Sequence, residues 1–146
     1  MDIIQIIYLI AIAFAFASVL VIHLRIKTEQ KLLLGYLSGY LLILGISNLM
    51  LLFVMTGWMI HFPYLYKVFM PLSLLSPVIA YWYVKGSLGQ AYVPKKWELL
   101  HLAPFLIVTI HYLPFFAKPI GDKIEIVRAI IENNEIIVDY SYGWIF

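Results

Sequence analysis

The chain lacks cysteine and contains few charged residues. None of its 146 residues is cysteine, and only 12% are Asp, Glu, Lys or Arg. The absence of cysteine excludes disulfides, thiolate metal sites and cysteine nucleophiles. A soluble domain carries about a quarter charged residues, so this composition argues against a soluble globular protein. The formal net charge of +2 is too small to indicate nucleic-acid binding by this chain.

The sequence also lacks recognisable catalytic machinery. Its long apolar runs contain no Asp, Glu, Lys or Arg, and pumps and intramembrane aspartyl proteases need such groups at membrane depth. No zinc-binding His pair with a general-base Glu, no nucleophile-elbow serine and no phosphate-binding glycine loop is present. The four histidines fit positions at the membrane boundary better than haem ligation. We therefore expect no enzyme activity, no cofactor and no metal site. The absence of charges does not exclude a neutral pore.

Long apolar runs dominate what is present. Hydrophobic residues make up 64% of the chain and the mean hydropathy is +0.94. About 20 apolar residues in a helix cross the roughly 30 Å hydrocarbon core. The runs predict an all-α polytopic membrane protein, a single membrane domain over 1–146, with four transmembrane helices at about 3–22, 32–57, 68–84 and 99–116. The second run is longer than one crossing needs, so we expect it to tilt or to end between Met55 and Trp58.

The distribution of Lys and Arg predicts the orientation. The segments after the first and third runs hold six of the ten basic residues: Arg25, Lys27, Lys31, Lys85, Lys95 and Lys96. Basic residues concentrate on the cytoplasmic side of a membrane. The pattern therefore predicts an outside N-terminus, with both basic segments inside a bacterial cytoplasmic (inner) membrane.

Three features within the runs are candidates for helix packing or switching. Gly35, Gly39 and Gly45 form one smooth face of the second helix, which favours close approach either to a neighbouring helix of the chain or to a second copy. Asn48 is the most polar side chain at depth, and we expect it to form an interhelical hydrogen bond. Pro77 removes a backbone donor and predicts a kink in the third helix, with nearby serine hydroxyls satisfying the freed groups.

The segment 117–146 differs in character from the rest. Ile124, Val127 and Ile131, interleaved with charged residues, predict a short amphipathic helix lying on the outer surface. A turn at Asn133-Asn134 and the start of a fifth span at Tyr140-Ser-Tyr-Gly-Trp-Ile-Phe146 are expected beyond it.

Two stretches together resemble a known family. The third run ends in Pro77-Val-Ile-Ala-Tyr-Trp-Tyr-Val-Lys-Gly-Ser-Leu88, and the fourth begins with His101-Leu-Ala-Pro-Phe-Leu106. This arrangement is similar to the N-terminal membrane region of bacterial membrane-anchored AraC-type transcriptional regulators. The residues that carry the resemblance are Tyr81, Tyr83, Lys85, His101, Pro104 and Phe105. The resemblance implies about seven spans followed by cytosolic helix-turn-helix units, and hence a chain truncated before its DNA-binding domain.

We therefore expect a membrane-embedded sensor or anchor module whose partners are the lipid bilayer and a second copy in a homodimer. DNA would be contacted only through a parent C-terminal domain, and the signal ligand is unassigned. Two alternatives stay open: the sensor half of a membrane histidine kinase, and a self-contained four-helix membrane protein such as a small transporter subunit or assembly factor.

Overall fold

The computed structural model describes residues 2–25, 31–88 and 92–132, and every regular element in them is a helix. The α-helices are α1 (Ile3–Arg25), α2 (Lys31–Met55), α3 (Phe69–Ser73), α4 (Leu75–Ser87), α5 (Ala103–His111), α6 (Leu113–Ala117) and α7 (Ile120–Glu132). Short 3-10 helices cover Trp58–His61, Pro63–Val68 and Lys96–Leu102. The predicted all-helical class is thereby confirmed for the described residues.

Three helical stretches are long and apolar enough to cross a membrane: Ile3–Arg25, Lys31–Met55 and Pro63–Ser87. The first three predicted spans fall on these stretches. The second ends inside the expected window, because α2 stops at Met55 and Gly57 turns the chain with a positive φ of 75°. A left-handed backbone conformation of this kind favours glycine.

The predicted fourth span, 99–116, is interrupted. A 3-10 helix precedes α5, and the helix breaks again at Tyr112 before α6. Pro104 and Pro114 lie in the first turn of α5 and α6, where a missing N–H breaks no helical bond. The prolines therefore divide the run into short helices, and a fourth crossing remains a prediction. The expected turn at 133–134 and the fifth span lie outside the described residues.

Helix α2 is the centre of the fold, because it packs against α1 on one side and against α3 and α4 on another. Leu33 lies against Gly86 and Gly39 lies against Ile79, so α2 and α4 run antiparallel. Helices α1 and α2 are joined by five residues and meet again at Ala15 and Gly45, which also makes them antiparallel. The bundle thus has two ends, named below the Lys31 end and the Met55 end.

Helix α7 closes the Met55 end. Its buried residues, Lys123, Ile126, Val127 and Ile130, pack over the 3-10 helices at 58–68 and over Phe115. An amphipathic helix is therefore present as predicted, but its buried face is rotated from the predicted one and packs against the protein. The cause is Lys123, whose stem is buried while its Nζ donates to the carbonyl of Phe116 at 2.8 Å, so this polar residue belongs to the inner face. The location of the helix on the outer membrane surface stays a prediction.

Candidate functional site

The small residues of α2 serve two different neighbours. A Cβ built on Gly45 would lie 3.1 Å from the Cβ of Ala15, so α1 approaches α2 closely at this point. A Cβ on Gly39 would lie 3.8 Å from Ile79 of α4, whereas one on Gly35 would meet nothing within 4 Å. Two of the three predicted packing glycines therefore contact neighbouring helices of the same chain. Gly35 is exposed on the surface of α2.

Asn48 lies in a groove between α1 and α2 that is lined by Ala11, Ala15, Ser18 and Leu44. Its Nδ2 donates to the carbonyl of Leu44 at 2.8 Å, one turn back in its own helix. The expected hydrogen bond to another helix is thus replaced by a local one, because the facing groove wall consists mainly of small and apolar side chains. Asn48 faces the α1–α2 interface, and its Nδ2 donates within its own helix rather than to α1.

The third apolar stretch contains a built-in break. Helix α3 ends at Ser73, four residues before Pro77, and α4 begins at Leu75, two residues before it. Pro77 has no N–H for the carbonyl of Ser73, and the Ser76 hydroxyl donates to that carbonyl at 2.9 Å. The Ser73 hydroxyl donates to Met70 at 2.8 Å. Serine hydroxyls therefore donate to backbone carbonyls at the break, and a helix in hydrocarbon requires such internal hydrogen bonds.

A polar cluster joins the C-terminal part of α4 to the 3-10 helix at 96–102. We name it the Lys85 cluster; its members are Tyr81, Lys85, Tyr92, Trp97 and Glu98. The Nζ of Lys85 lies 2.5 Å from Oε1 of Glu98 and 3.0 Å from the hydroxyl of Tyr81. The second carboxylate oxygen of Glu98 accepts the backbone N–H of Lys95 at 2.9 Å. This bond completes one half of a capping box and fixes the start of the 3-10 helix.

Aromatic rings surround the Lys85 ammonium. Its Nζ lies 5.2 Å from the ring centroid of Tyr81, 4.9 Å from that of Tyr92 and 5.7 Å from that of Trp97. Cations within about 6 Å of an aromatic face are attracted by the ring quadrupole. The Lys85 ammonium therefore contacts a carboxylate, a hydroxyl and three aromatic rings. These contacts connect α4 to the 3-10 helix at 96–102.

The two charges of the cluster differ in their environment. The Glu98 side chain is fully buried, whereas 37% of the Lys85 side chain is exposed. The hydrogen bond from Lys85 lowers the pKa of Glu98 below its ordinary value, and the Lys95 N–H acts in the same direction against the opposing effect of burial. Glu98 is therefore ionised at neutral pH, and its charge is compensated within the protein.

The structure brings together part of the family-like motif. Tyr81 and Lys85 belong to the cluster, and the His101 ring lies 5.3 Å from that of Tyr81 and 6.5 Å from that of Trp97. Tyr83 is half-buried further along the helix surface, where its side chain points away from Tyr81 because residues two apart do not share a helix face. Pro104 and Phe105 form the first turn of α5, and their role there is to begin the helix.

Sequence reasoning missed Glu98, Tyr92 and Trp97. Glu98 lies between two predicted spans, where a charge is usually solvated, so its position in the sequence does not indicate burial. One signal was present: Lys95 and Glu98 are three residues apart just before an apolar run, which is the spacing of the Glu in a capping box. The long-range pairing of Glu98 with Lys85 required the tertiary structure.

A second constellation lies at the Met55 end. Lys67 is 3% exposed, and its Nζ lies 5.0 Å from the ring centroids of both Tyr66 and Tyr112. The ring of His111, which is also buried, lies 4.9 Å from that of Tyr112. In the part of the chain that the structure describes, no group of three or more His, Asp or Glu side chains is arranged to hold a metal ion.

Comparisons with known proteins identify no relative of this chain. No protein-family model, no curated protein and no solved structure matches the chain. The resemblance to AraC-type regulators is therefore carried by the motif residues alone.

Proposed function

We propose that this chain is a membrane-embedded sensor and anchor module of a bacterial AraC-type transcriptional regulator. The observation that supports the proposal best is the Lys85 cluster. Residues of the family-like motif, Tyr81 and Lys85 with the adjacent His101, meet there around a buried carboxylate. The module would be non-catalytic, and DNA would be bound by helix-turn-helix units of the parent regulator.

The proposed mechanism uses the break in the third helical stretch. Residues 63–73 and α4 are joined at Leu74, where the chain lacks a continuous α-helical hydrogen-bond ladder. A signal at the Met55 end or within the bilayer would change the angle between the two parts. Because α4 carries Lys85 at its far end, such a change would move the cluster at the Lys31 end. The Lys31 end is the predicted cytosolic side, where an output domain would respond.

The first test concerns output. In the host, a transcriptional reporter driven by the target promoter is compared for the intact gene and for Lys85→Met. We expect the variant to lock the output, either high or low, because Glu98 loses its compensating charge and the two helical segments separate. Lys31→Met removes a cation at the same end, outside the cluster, and serves as the matched control with an unchanged response. A normal response in Lys85→Met would exclude the cluster from signalling.

The charge-swapped pair Lys85→Glu with Glu98→Lys distinguishes a specific contact from general damage. Restored regulation in the double variant, compared with either single variant, would support an ion pair that positions the two segments. Loss of membrane insertion in all variants, measured by membrane fractionation, would instead indicate a purely structural role.

The second test concerns orientation. The chain contains no cysteine, so single cysteines can be introduced without background. His61 and Val93 are exposed near opposite ends of the bundle. In intact cells, a membrane-impermeant maleimide should label His61→Cys, whereas Val93→Cys should react only after permeabilisation. The reverse pattern would place the N-terminus inside and contradict a cytosolic Lys31 end.

The reading frame of the intact gene separates the open alternatives. Helix-turn-helix units downstream of codon 146 would support an AraC-type regulator, and a kinase core would favour the histidine-kinase sensor. A stop codon there would favour a self-contained four-helix membrane protein.

A further inference from the structure

The short 3-10 helix at 96–102 exposes large apolar side chains at one end of the bundle. The exposed fractions are 62% for Trp97, 50% for Leu99 and 76% for Leu100. These residues lie at the Lys31 end, between the end of α4 and the start of α5. Tryptophan and leucine at the boundary of a membrane protein contact the region between the headgroups and the acyl chains. This helix is therefore suited to contact lipid directly.

Two exposed cations precede these apolar residues. Lys95 and Lys96 are both exposed, and Glu98 is the acidic residue of the same helix. Glu98 is fully buried and bonded to Lys85, so its negative charge does not offset the lysines at the surface. The exposed face of the segment is consequently basic and apolar without a competing acid. We name the five residues Lys95, Lys96, Trp97, Leu99 and Leu100 the Lys95 surface.

The opposite end of the bundle has a different charge pattern. On the exposed face of α7, Asp122, Glu125 and Glu132 accompany Arg128. The excess of positive charge is thus concentrated at one end of the described structure, where Arg25 and Lys31 are also exposed, because acidic side chains accompany the cations at the other end. Cationic side chains near a membrane surface attract anionic lipids over about a Debye length.

We propose that the Lys95 surface is a docking site for anionic phospholipid headgroups, such as that of phosphatidylglycerol. The ammonium groups of Lys95 and Lys96 pair with lipid phosphate, and Trp97, Leu99 and Leu100 enter the acyl boundary below. The Lys85–Glu98 pair supports the site by withdrawing the one acid of the helix from the surface. Each lysine should raise the association constant for an anionic lipid roughly fivefold. The proposal does not depend on the identity of the output domain.

The test uses the full chain reconstituted in phosphatidylcholine bilayers. Electron paramagnetic resonance measures the association of spin-labelled phosphatidylglycerol relative to spin-labelled phosphatidylcholine. We expect preference for phosphatidylglycerol at low salt, weakening as salt rises. The Lys95→Gln/Lys96→Gln variant should lose roughly 25-fold in relative association if both lysines act independently. The matched control, Lys118→Gln/Arg128→Gln, removes two cations at the other end and should retain the preference.

A second measurement locates the bound lipid. Leu100→Cys carries a fluorophore in an otherwise cysteine-free chain, and brominated phosphatidylglycerol should quench it more strongly than brominated phosphatidylcholine. His61→Cys at the opposite end should show equal quenching by both lipids. Equal association of the two spin-labelled lipids, equal quenching at Leu100, or the same loss in the control variant would each overturn the proposal.

Discussion

Gly45 is the position where one added side chain should have the largest effect on the fold. A Cβ at this position would lie 3.1 Å from the Cβ of Ala15 and 3.5 and 3.6 Å from two ring carbons of Phe16. Carbon atoms pack best at about 3.5–4.0 Å. Gly45→Leu adds this Cβ and three further carbon atoms, so α1 must move away from α2.

The expected cost follows from how α1 is held. Helix α1 packs mainly against α2, and Ala15 is its buried residue in the part of the chain that the structure describes. In a bilayer, close contact between small residues is what favours association of such helices over contact with lipid. Overpacking costs about 1–3 kcal/mol. We expect Gly45→Leu to destabilise the packing of α1 on α2 by about 2–3 kcal/mol, because the crowding begins at the Cβ and cannot be relieved by a rotamer change.

Gly35→Leu is the matched control on the same helix, because its Cβ would meet nothing within 4 Å. It should be neutral or more stable by up to about 1 kcal/mol, since leucine is a better helix former than glycine. Spin labels at Phe14→Cys and Val84→Cys, which are 75% and 54% exposed in the parent, report the distance between α1 and α4. This distance is measured during a titration with sodium dodecyl sulfate. Its change gives the detergent concentration at which α1 is half separated from the rest of the bundle.

A lower midpoint or a longer initial distance for Gly45→Leu, with neither change for Gly35→Leu, would support the packing argument. The compensating pair Gly45→Ala with Ala15→Gly restores the space and should recover most of the stability lost in Gly45→Ala alone. Equal midpoints for the two leucine variants would refute the conclusion that α1 is held through the Gly45 contact.

Three further predictions concern other parts of the fold. The hydrogen bond from Lys85 holds the pKa of Glu98 below its ordinary value of 4.5. The pair therefore stabilises the fold above that pH, and this stabilisation is lost as the pH falls through the lowered pKa. The acid-induced loss of stability, followed by circular dichroism, should be smaller in Glu98→Gln. Ser76→Ala should destabilise by about 1 kcal/mol in a detergent unfolding titration, because the carbonyl freed by the nearby proline loses its donor; no change would mean that the carbonyl finds another donor. Val127→Ala should cost about 1–3 kcal/mol, since the side chain is 1% exposed, whereas Val93→Ala at 69% exposure should cost almost nothing.

Run length predicted the first three membrane-length helices, whereas the predicted fourth span is divided into short helices. The end of α2 between Met55 and Trp58 followed from the length of one membrane crossing. The hydroxyl of Ser76 compensates Pro77 as the local sequence indicated. These features depend on residues within one or two helical turns of each other, so the linear sequence contains the information they require.

Features that depend on contacts between distant segments could not be predicted from the sequence. The buried face of α7 was assigned from its apolar residues, but Lys123 lies on that face because its stem packs inward and its ammonium reaches the Phe116 carbonyl. Asn48 was expected to bond across the bundle, yet the apolar groove opposite left a local carbonyl as its acceptor. Each outcome was decided by the neighbour that the fold supplied.

The sequence by itself determined that this is a helical protein with segments long and apolar enough to span a membrane, because the backbone groups of such runs must be satisfied inside a helix in hydrocarbon. It also located the small residues and prolines that shape those helices. The tertiary structure alone decided which surfaces they meet: Gly45 meets α1, Gly39 meets α4, and Gly35 stays open. It also paired Glu98 with Lys85, because only folding brings two residues 13 positions apart to hydrogen-bond distance.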